Sequence, residues 1–246
     1  MSIKFTIIVP SYNAEGYIEK CVRSALAQDY DNCEVIVIDN DSGDDSLEIV
    51  EKLQEEYNNF HLDTAPNLYP FSWSEPVDKA LSVFTGDYFT ILGADDYLAP
   101  DYVSNIVKYI EESTEDIQCF QSPIRFVNEE GNELGQDLTH EYDDLQDLKK
   151  KLLEKCVVTT PSVVFSRELF NKGLTKWDSE NYLGAADYAL YFSLADEGVH
   201  IHLNKNWLGY YYRWHQGQAT WGMKKQPVNY DFMLQNMWRQ KWENEN

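Results

Sequence analysis

Tyr88-Phe-Thr-Ile-Leu-Gly-Ala-Asp-Asp-Tyr-Leu98 is a β-branched and aromatic run that ends in two adjacent carboxylates. The apolar part, Tyr88 to Leu92, reads as a buried strand. Beyond it, Pro100 and the spacing of Tyr102, Val103, Ile106, Val107 and Ile110 predict a helix. Asp95 and Asp96 are thereby expected on a tight turn at the carboxyl end of a strand, where open α/β sheets bind ligands. Two adjacent carboxylates repel unless positive charge sits beside them. A divalent cation held by oxygen and shared with substrate phosphates answers that need; a solvated acidic turn is the plainer alternative.

Upstream the same alternation repeats. Phe5–Val9 reads as a strand and Ala14–Ala27 as a helix, with Tyr17, Ile18, Cys21, Val22 and Ala25 on one face. Glu34–Ile38 is a second buried strand, followed by a helix over Ser46–Tyr57, a weaker strand at Phe60–Leu62 and a helix over Pro76–Phe84. Such alternation predicts an α/β fold, a mostly parallel doubly wound sheet with helices on both faces. After residue 112 the pattern changes to short strands at Ile117–Phe120, Ile124–Val127 and Val163–Phe165. Between them Gln136–Lys151 is polar, with a helix over Asp144–Leu153, and an amphipathic helix is expected over Ala185–Glu197. We divide the chain at that point into two halves, 1–112 and 113–246, with a helical tail over Pro227–Trp242. The second half is expected to extend the same sheet.

The chain has 246 residues, 43% of them apolar, enough for a sizeable core. Its net charge of −22 argues against nucleic acid, whose phosphates demand Lys and Arg, and against adhesion to anionic lipid through a basic surface. Cys21, Cys33, Cys119 and Cys156 show no zinc spacing, so reduced thiols and a cytoplasmic location are expected. No apolar run is long enough to be an integral membrane segment.

Three loops follow strands that this topology places along one sheet edge: Pro10–Asn13, Asp39–Ser46 and the Asp95-Asp96 pair. Tyr12 offers a flat face for stacking on a base. Asp39, directly after a strand, can accept from a base N–H or a ribose hydroxyl. Asp44 and Asp45 suit capping of the next helix.

Ile7-Ile-Val-Pro-Ser-Tyr-Asn13, Val37-Ile-Asp-Asn-Asp-Ser42, and Gly86-Asp-Tyr-Phe89 with Ala94-Asp-Asp96, in this order, resemble the family 2 glycosyltransferases. These are inverting enzymes of the nucleotide-diphospho-sugar transferase fold, GT-A. The resemblance covers about residues 4 to 110 closely and extends more loosely to His215. It implies that Pro10, Tyr12 and Asn13 hold the nucleotide, that Asp39 reads the base edge (usually uracil), and that Asp95 faces the ribose. It further implies that Asp96 binds Mn²⁺ or Mg²⁺ on the diphosphate. Leu183-Gly-Ala-Ala-Asp-Tyr-Ala-Leu190 looks like the base motif, leaving Asp187 as catalytic base. Tyr210-Tyr-Tyr-Arg-Trp-His215 looks like the closing segment, with Arg213 on phosphate and His215 on the metal. Trp214 and Trp221 are acceptor candidates.

The implied activity is metal-dependent, inverting transfer of one sugar from a nucleotide diphosphate sugar, UDP-linked by expectation, to a saccharide, lipid-linked or protein acceptor. A homodimer and peripheral contact with a membrane through a lipid-linked acceptor fit the same resemblance. This chain departs from the pattern at Gly93, Ala186 and Ala189, where carboxylates are frequent, and at Asp78-Lys79. Those losses motivate an alternative, a catalytically degenerate nucleotide-sugar-binding or scaffold protein of the same fold. A nucleotidyltransferase is disfavoured, because Ser11–Gly16 is not a Gly-rich basic loop.

Overall fold

The computed structural model describes residues 2–57, 60–205, 207–218 and 227–244. Along the chain run β1 (Phe5–Ser11), α1 (Ile18–Leu26), β2 (Cys33–Asp39), α2 (Ser46–Glu56), β3 (Phe60–Thr64), α3 (Glu75–Leu81), β4 (Tyr88–Ile91), β5 (Tyr97–Leu98) and α4 (Tyr102–Glu112). The second half adds β6 (Cys119–Gln121), β7 (Ile124–Val127), β8 (Glu133–Leu138), α5 (Leu145–Leu152), β9 (Val164–Ser166), α6 (Arg167–Asn171), α7 (Ser179–Tyr182), α8 (Ala186–Asp196), β10 (Ile201–Leu203), β11 (Tyr210–Arg213) and α9 (Tyr230–Asn244).

Among the described residues a seven-stranded sheet has the order β10-β6-β9-β4-β1-β2-β3. Strands β4, β1, β2 and β3 are parallel, and β9 runs antiparallel between β4 and β6. Side chains of β1 and β2 alternate between two cores, as the period of a strand buried on both faces requires. Phe5, Ile7, Val9, Val35 and Val37 face α1, α2 and α4; Ile8, Ile36 and Ile38 face the other layer, which includes α3, α5 and α8. Helix α1 buries Ile18, Cys21, Val22 and Ala25. It begins later than expected, because Ala14–Tyr17 is spent on a turn in which both Tyr17 and Ile18 donate to Ala14 O.

Two expectations need correction. The second half does not only extend the main sheet: β5, β11, β7 and β8 form a separate four-stranded sheet beside it. Helix α8 is not amphipathic, since Tyr188, Leu190, Tyr191, Phe192 and Leu194 are all buried. The tail helix α9 covers its outer side, stacking Trp238 on Phe192 at 5.7 Å and tilting Trp242 against the same ring.

Candidate active site

The carboxyl ends of β1, β2 and β4 open onto a cleft of about 610 Å³. Pro10, Tyr12, Asn13, Asp95 and His215 line it. Tyr12 is 51% exposed, an apolar ring presented rather than buried. The turn carrying the acidic pair is fixed from below by β11. Tyr210 accepts from Gly93 N at 3.1 Å and donates to Asp96 Oδ2 at 2.7 Å, while Arg213 N donates to Asp96 Oδ1 at 2.7 Å. Both oxygens of Asp96 are thus engaged in the interior, where it is 2% exposed. Burial, and then the charge of Asp95, raise its proton affinity well above the ordinary carboxylate range.

The cleft carboxylate is therefore Asp95, to which His215 Nε2 donates at 2.9 Å. The placement differs from the expectation that Asp96 meets the metal and Asp95 the ribose: the hydrogen bonds from Tyr210 and Arg213 hold Asp96 inward. Gly93 belongs to the same packing. A Cβ there would come within 2.9 Å of Asp96 Oδ2 and 3.0 Å of Asp95 Oδ1, so no acidic side chain fits in this arrangement.

Arg213 also departs from expectation. Its guanidinium is buried (3% exposed) rather than offered to phosphate. Nε donates to Asp95 O at 2.6 Å, and the terminal nitrogen reaches Asn128 O and Glu129 O on the turn between β7 and β8. The rings of Tyr17 and Tyr97 flank it at 4.9 and 5.7 Å. Arg213 clamps the acidic turn to the second sheet.

Asp39 is likewise buried and spent locally, accepting from Ser42 N at 2.9 Å and Ser42 Oγ at 2.7 Å. That local closure shapes the second loop, which Asn13 ties to the first by accepting from Gly43 N at 2.8 Å. Asn13 and Asp41 adopt φ of +47° and +60°, strained values for non-glycine residues that cluster here at the cleft. The residue that does face the cleft from this loop is Asn40. Its Oδ1 is buried without a hydrogen-bond partner among the described residues, as is Ser11 Oγ beside it. An unpaired buried acceptor costs on the order of 1–3 kcal/mol unless a ligand satisfies it. The sequence points to Asp39 rather than Asn40; in the structure Ser42, three residues on, closes Asp39 into a local turn and Asn40 lines the cleft. Loop residues Asn67, Tyr69 and Trp73 after β3 also line the cleft; no periodic signal marks them.

Asp187 opens α8, away from the cleft lining. It is half-buried, accepting from Thr160 Oγ1 at 2.7 Å and from Tyr188 N at 2.7 Å. Burial raises its proton affinity above that of a free carboxylate. The neighbouring turn reaches the cleft through Trp73, whose Nε1 donates to Leu183 O at 2.8 Å. Trp214 is 48% exposed and packs edge-on against Phe126. Trp221 lies outside the described residues.

A cleft at the carboxyl edge of a parallel sheet, with an exposed aromatic, buried acceptors and a carboxylate–imidazole pair, is where α/β proteins bind their ligands. Residues 6–176 match the family model described as "Glycosyl transferase family 2". A Pasteurella multocida chondroitin synthase is 28% identical over 201 residues, covering 81% of this chain and 20% of that protein. The Escherichia coli protein named UDP-Glc:alpha-D-GlcNAc-diphosphoundecaprenol beta-1,3-glucosyltransferase WfaP is 26% identical, covering 94% of this chain and 86% of that one. Among solved structures, S. aureus TarS with UDP-GlcNAc superposes with a TM-score of 0.70 at 22% identity, covering 92% of this chain and 62% of that one. The mannosyltransferase PcManGT from Pyrobaculum calidifontis, with GDP-Man and Mn²⁺, gives 0.61 at 22%, covering 90% and 60%. The chain belongs to glycosyl transferase family 2, and its fold is GT-A.

Proposed function

We propose that this chain is an active, inverting glycosyltransferase that takes one sugar from a UDP-sugar and delivers it to a saccharide hydroxyl. The observation that carries the reading is the Asp95–His215 pair, 2.9 Å apart on the same cleft as Tyr12 and the unpaired carbonyl of Asn40. Tyr12 suits the face of a base, and Asn40 lines the same cleft. With His215 in the tautomer that leaves Nε2 without its hydrogen, that nitrogen and one carboxylate oxygen at this separation fit adjacent positions on an octahedral ion, whose neighbouring ligands stand about 3 Å apart. Among the described residues no cluster of three such side chains forms, so the remaining ligands would be diphosphate oxygens and water. Mn²⁺ or Mg²⁺ held there would neutralise the departing diphosphate. Asp96 and Arg213 serve this site by holding Asp95 in place.

In the transfer, the acceptor hydroxyl gives its proton to Asp187. The acceptor oxygen bonds to the anomeric carbon, and the bond to phosphate breaks with its electron pair leaving on UDP. The raised proton affinity of Asp187 suits a general base. WfaP, by its name, acts on a diphosphoundecaprenol-linked sugar; with matching length it supports a lipid-linked acceptor, met at a membrane surface. No helix among the described residues is long and apolar enough to cross a membrane. The test is transfer of label from UDP-glucose and UDP-GlcNAc to a GlcNAc-diphospholipid with Mn²⁺. We expect turnover that EDTA abolishes and that Asp187→Asn reduces at least 100-fold with UDP binding retained. Undiminished turnover in Asp187→Asn would remove it from the mechanism.

A further inference from the structure

The loop between β3 and α3 carries Trp73, the one tryptophan among the described residues that lines the cleft. Its indole is half-buried against the core layer that includes α3 and α8, so part of the ring is anchored while part faces the cleft. Nε1 donates to Leu183 O at 2.8 Å. With its only polar atom engaged, the ring has carbon alone to offer a ligand.

The backbone around the ring is held as firmly. Ser72, Ser74 and Ser179 are all buried. The hydroxyls of Ser72 and Ser179 lie 2.6 Å apart, Ser179 Oγ donates to Ser74 Oγ at 3.0 Å, and Trp73 N donates to Ser179 Oγ at 3.2 Å. These bonds pin the segment to the start of α7. An apolar ring fixed before any ligand arrives loses little conformational freedom on binding. Ring area left facing the cleft costs free energy that a ligand with an apolar face would recover.

The neighbourhood of the ring points to the kind of ligand. Leu183 belongs to the turn that leads into α8 and stands four residues before Asp187. A transferred sugar and the hydroxyl that receives it have to meet beside the general base, whereas the base of the nucleotide does not. A pyranose has a face of C–H groups that packs on an indole while its hydroxyls stay free for polar partners. We propose that Trp73 is a sugar-binding residue, the platform on which a pyranose stacks beside the Asp187 turn, an assignment that deepens the sugar-transferase reading and rests on it for the nature of the ligand. The sugar of the donor and the terminal sugar of the acceptor share this chemistry, and the experiment separates them.

The test is nitrogen NMR of the indole N–H groups in the full chain labelled at tryptophan, with the Trp73 signal identified by its loss in Trp73→Phe. It is read in the unaltered protein, so its outcome does not depend on a variant folding. UDP, UDP-glucose and UDP-GlcNAc are added in turn with Mn²⁺, and then a GlcNAc-diphospholipid. A donor sugar on the ring moves the signal beyond the position UDP gives it; an acceptor sugar moves it only when the GlcNAc-diphospholipid is added. In Trp73→Ala we expect about tenfold weaker binding of the UDP-sugar in the first case, or about tenfold higher acceptor KM in the second, with UDP affinity unchanged. Trp73→Phe keeps an apolar ring and should recover most of that loss. A signal that responds to UDP and ignores every sugar overturns the inference while the transferase reading stands. Equal losses for UDP and UDP-sugar in Trp73→Ala would set the ring against the nucleotide and overturn it as well. A cleft that takes neither nucleotide nor sugar removes it together with the function on which it rests.

Discussion

The decisive residues differ less in identity than in the direction their side chains take. Asp95 and Asp96 are chemically the same, yet one faces the cleft and the other is held inside by Tyr210 and the backbone of Arg213. Arg213 provides the sharpest test at this scale, because two roles predict opposite signatures. A clamp that donates to Asp95 O, Asn128 O and Glu129 O contributes to the ligand-free fold. Lysine cannot reproduce the planar fork. We expect Arg213→Lys to lower the stability of the ligand-free protein by about 1–3 kcal/mol in denaturant unfolding. A variant of unchanged stability that binds UDP more weakly would return Arg213 to the phosphate. The sequence points to the three loops that meet at the cleft, but not to which side chains line it: Asn40 and Asp95 do, while Asp39 and Asp96 are held in the interior. A motif fixes a position along the chain, while a turn's hydrogen bonds decide orientation.

Legibility of the elements tracked their share of the core. Strands β1, β2 and β4 announce themselves through Ile, Val, Phe and Tyr, because both faces are buried. Strand β8 has no apolar run, and its second half falls in the stretch from Gln136 that reads as polar. Glu133 to Asp137 are all exposed, and the strand exists through pairing with β7 and through Arg125, which binds Asp137 at 2.8 Å and Glu133 at 2.7 Å. No apolar period can reveal such a strand. Between β1, β2 and the turn before β4, Glu34 acts as a staple. Burial alone would raise its pKa, but the Thr85 hydroxyl and N–H, the Thr6 hydroxyl and Lys4 overcome this and bring it down to about 2. A carboxylate whose folded pKa lies below its ordinary 4.5 stabilises above that pH and loses the contribution as pH falls towards 2. Glu34→Gln should cost about 1–3 kcal/mol at neutral pH. In parallel urea melts the gap to the unaltered protein should close between about pH 4.5 and 2. A gap independent of pH would mean that shape, not charge, does the stapling.

At the scale of the molecule, a chain of net charge −22 that takes the proposed diphosphate donor repels it at long range, so the attraction has to be local. The cleft offers a carboxylate–imidazole pair and an exposed tyrosine ring for that purpose. The measurement that tests the central claim most directly is calorimetric titration of UDP and of GDP into the protein with Mn²⁺, repeated in EDTA and with Asp95→Asn. The account predicts micromolar binding of UDP, weaker binding of GDP, and loss of UDP binding both in EDTA and in the variant. Absence of UDP binding with Mn²⁺ present, or binding indifferent to EDTA and to Asp95, would contradict it.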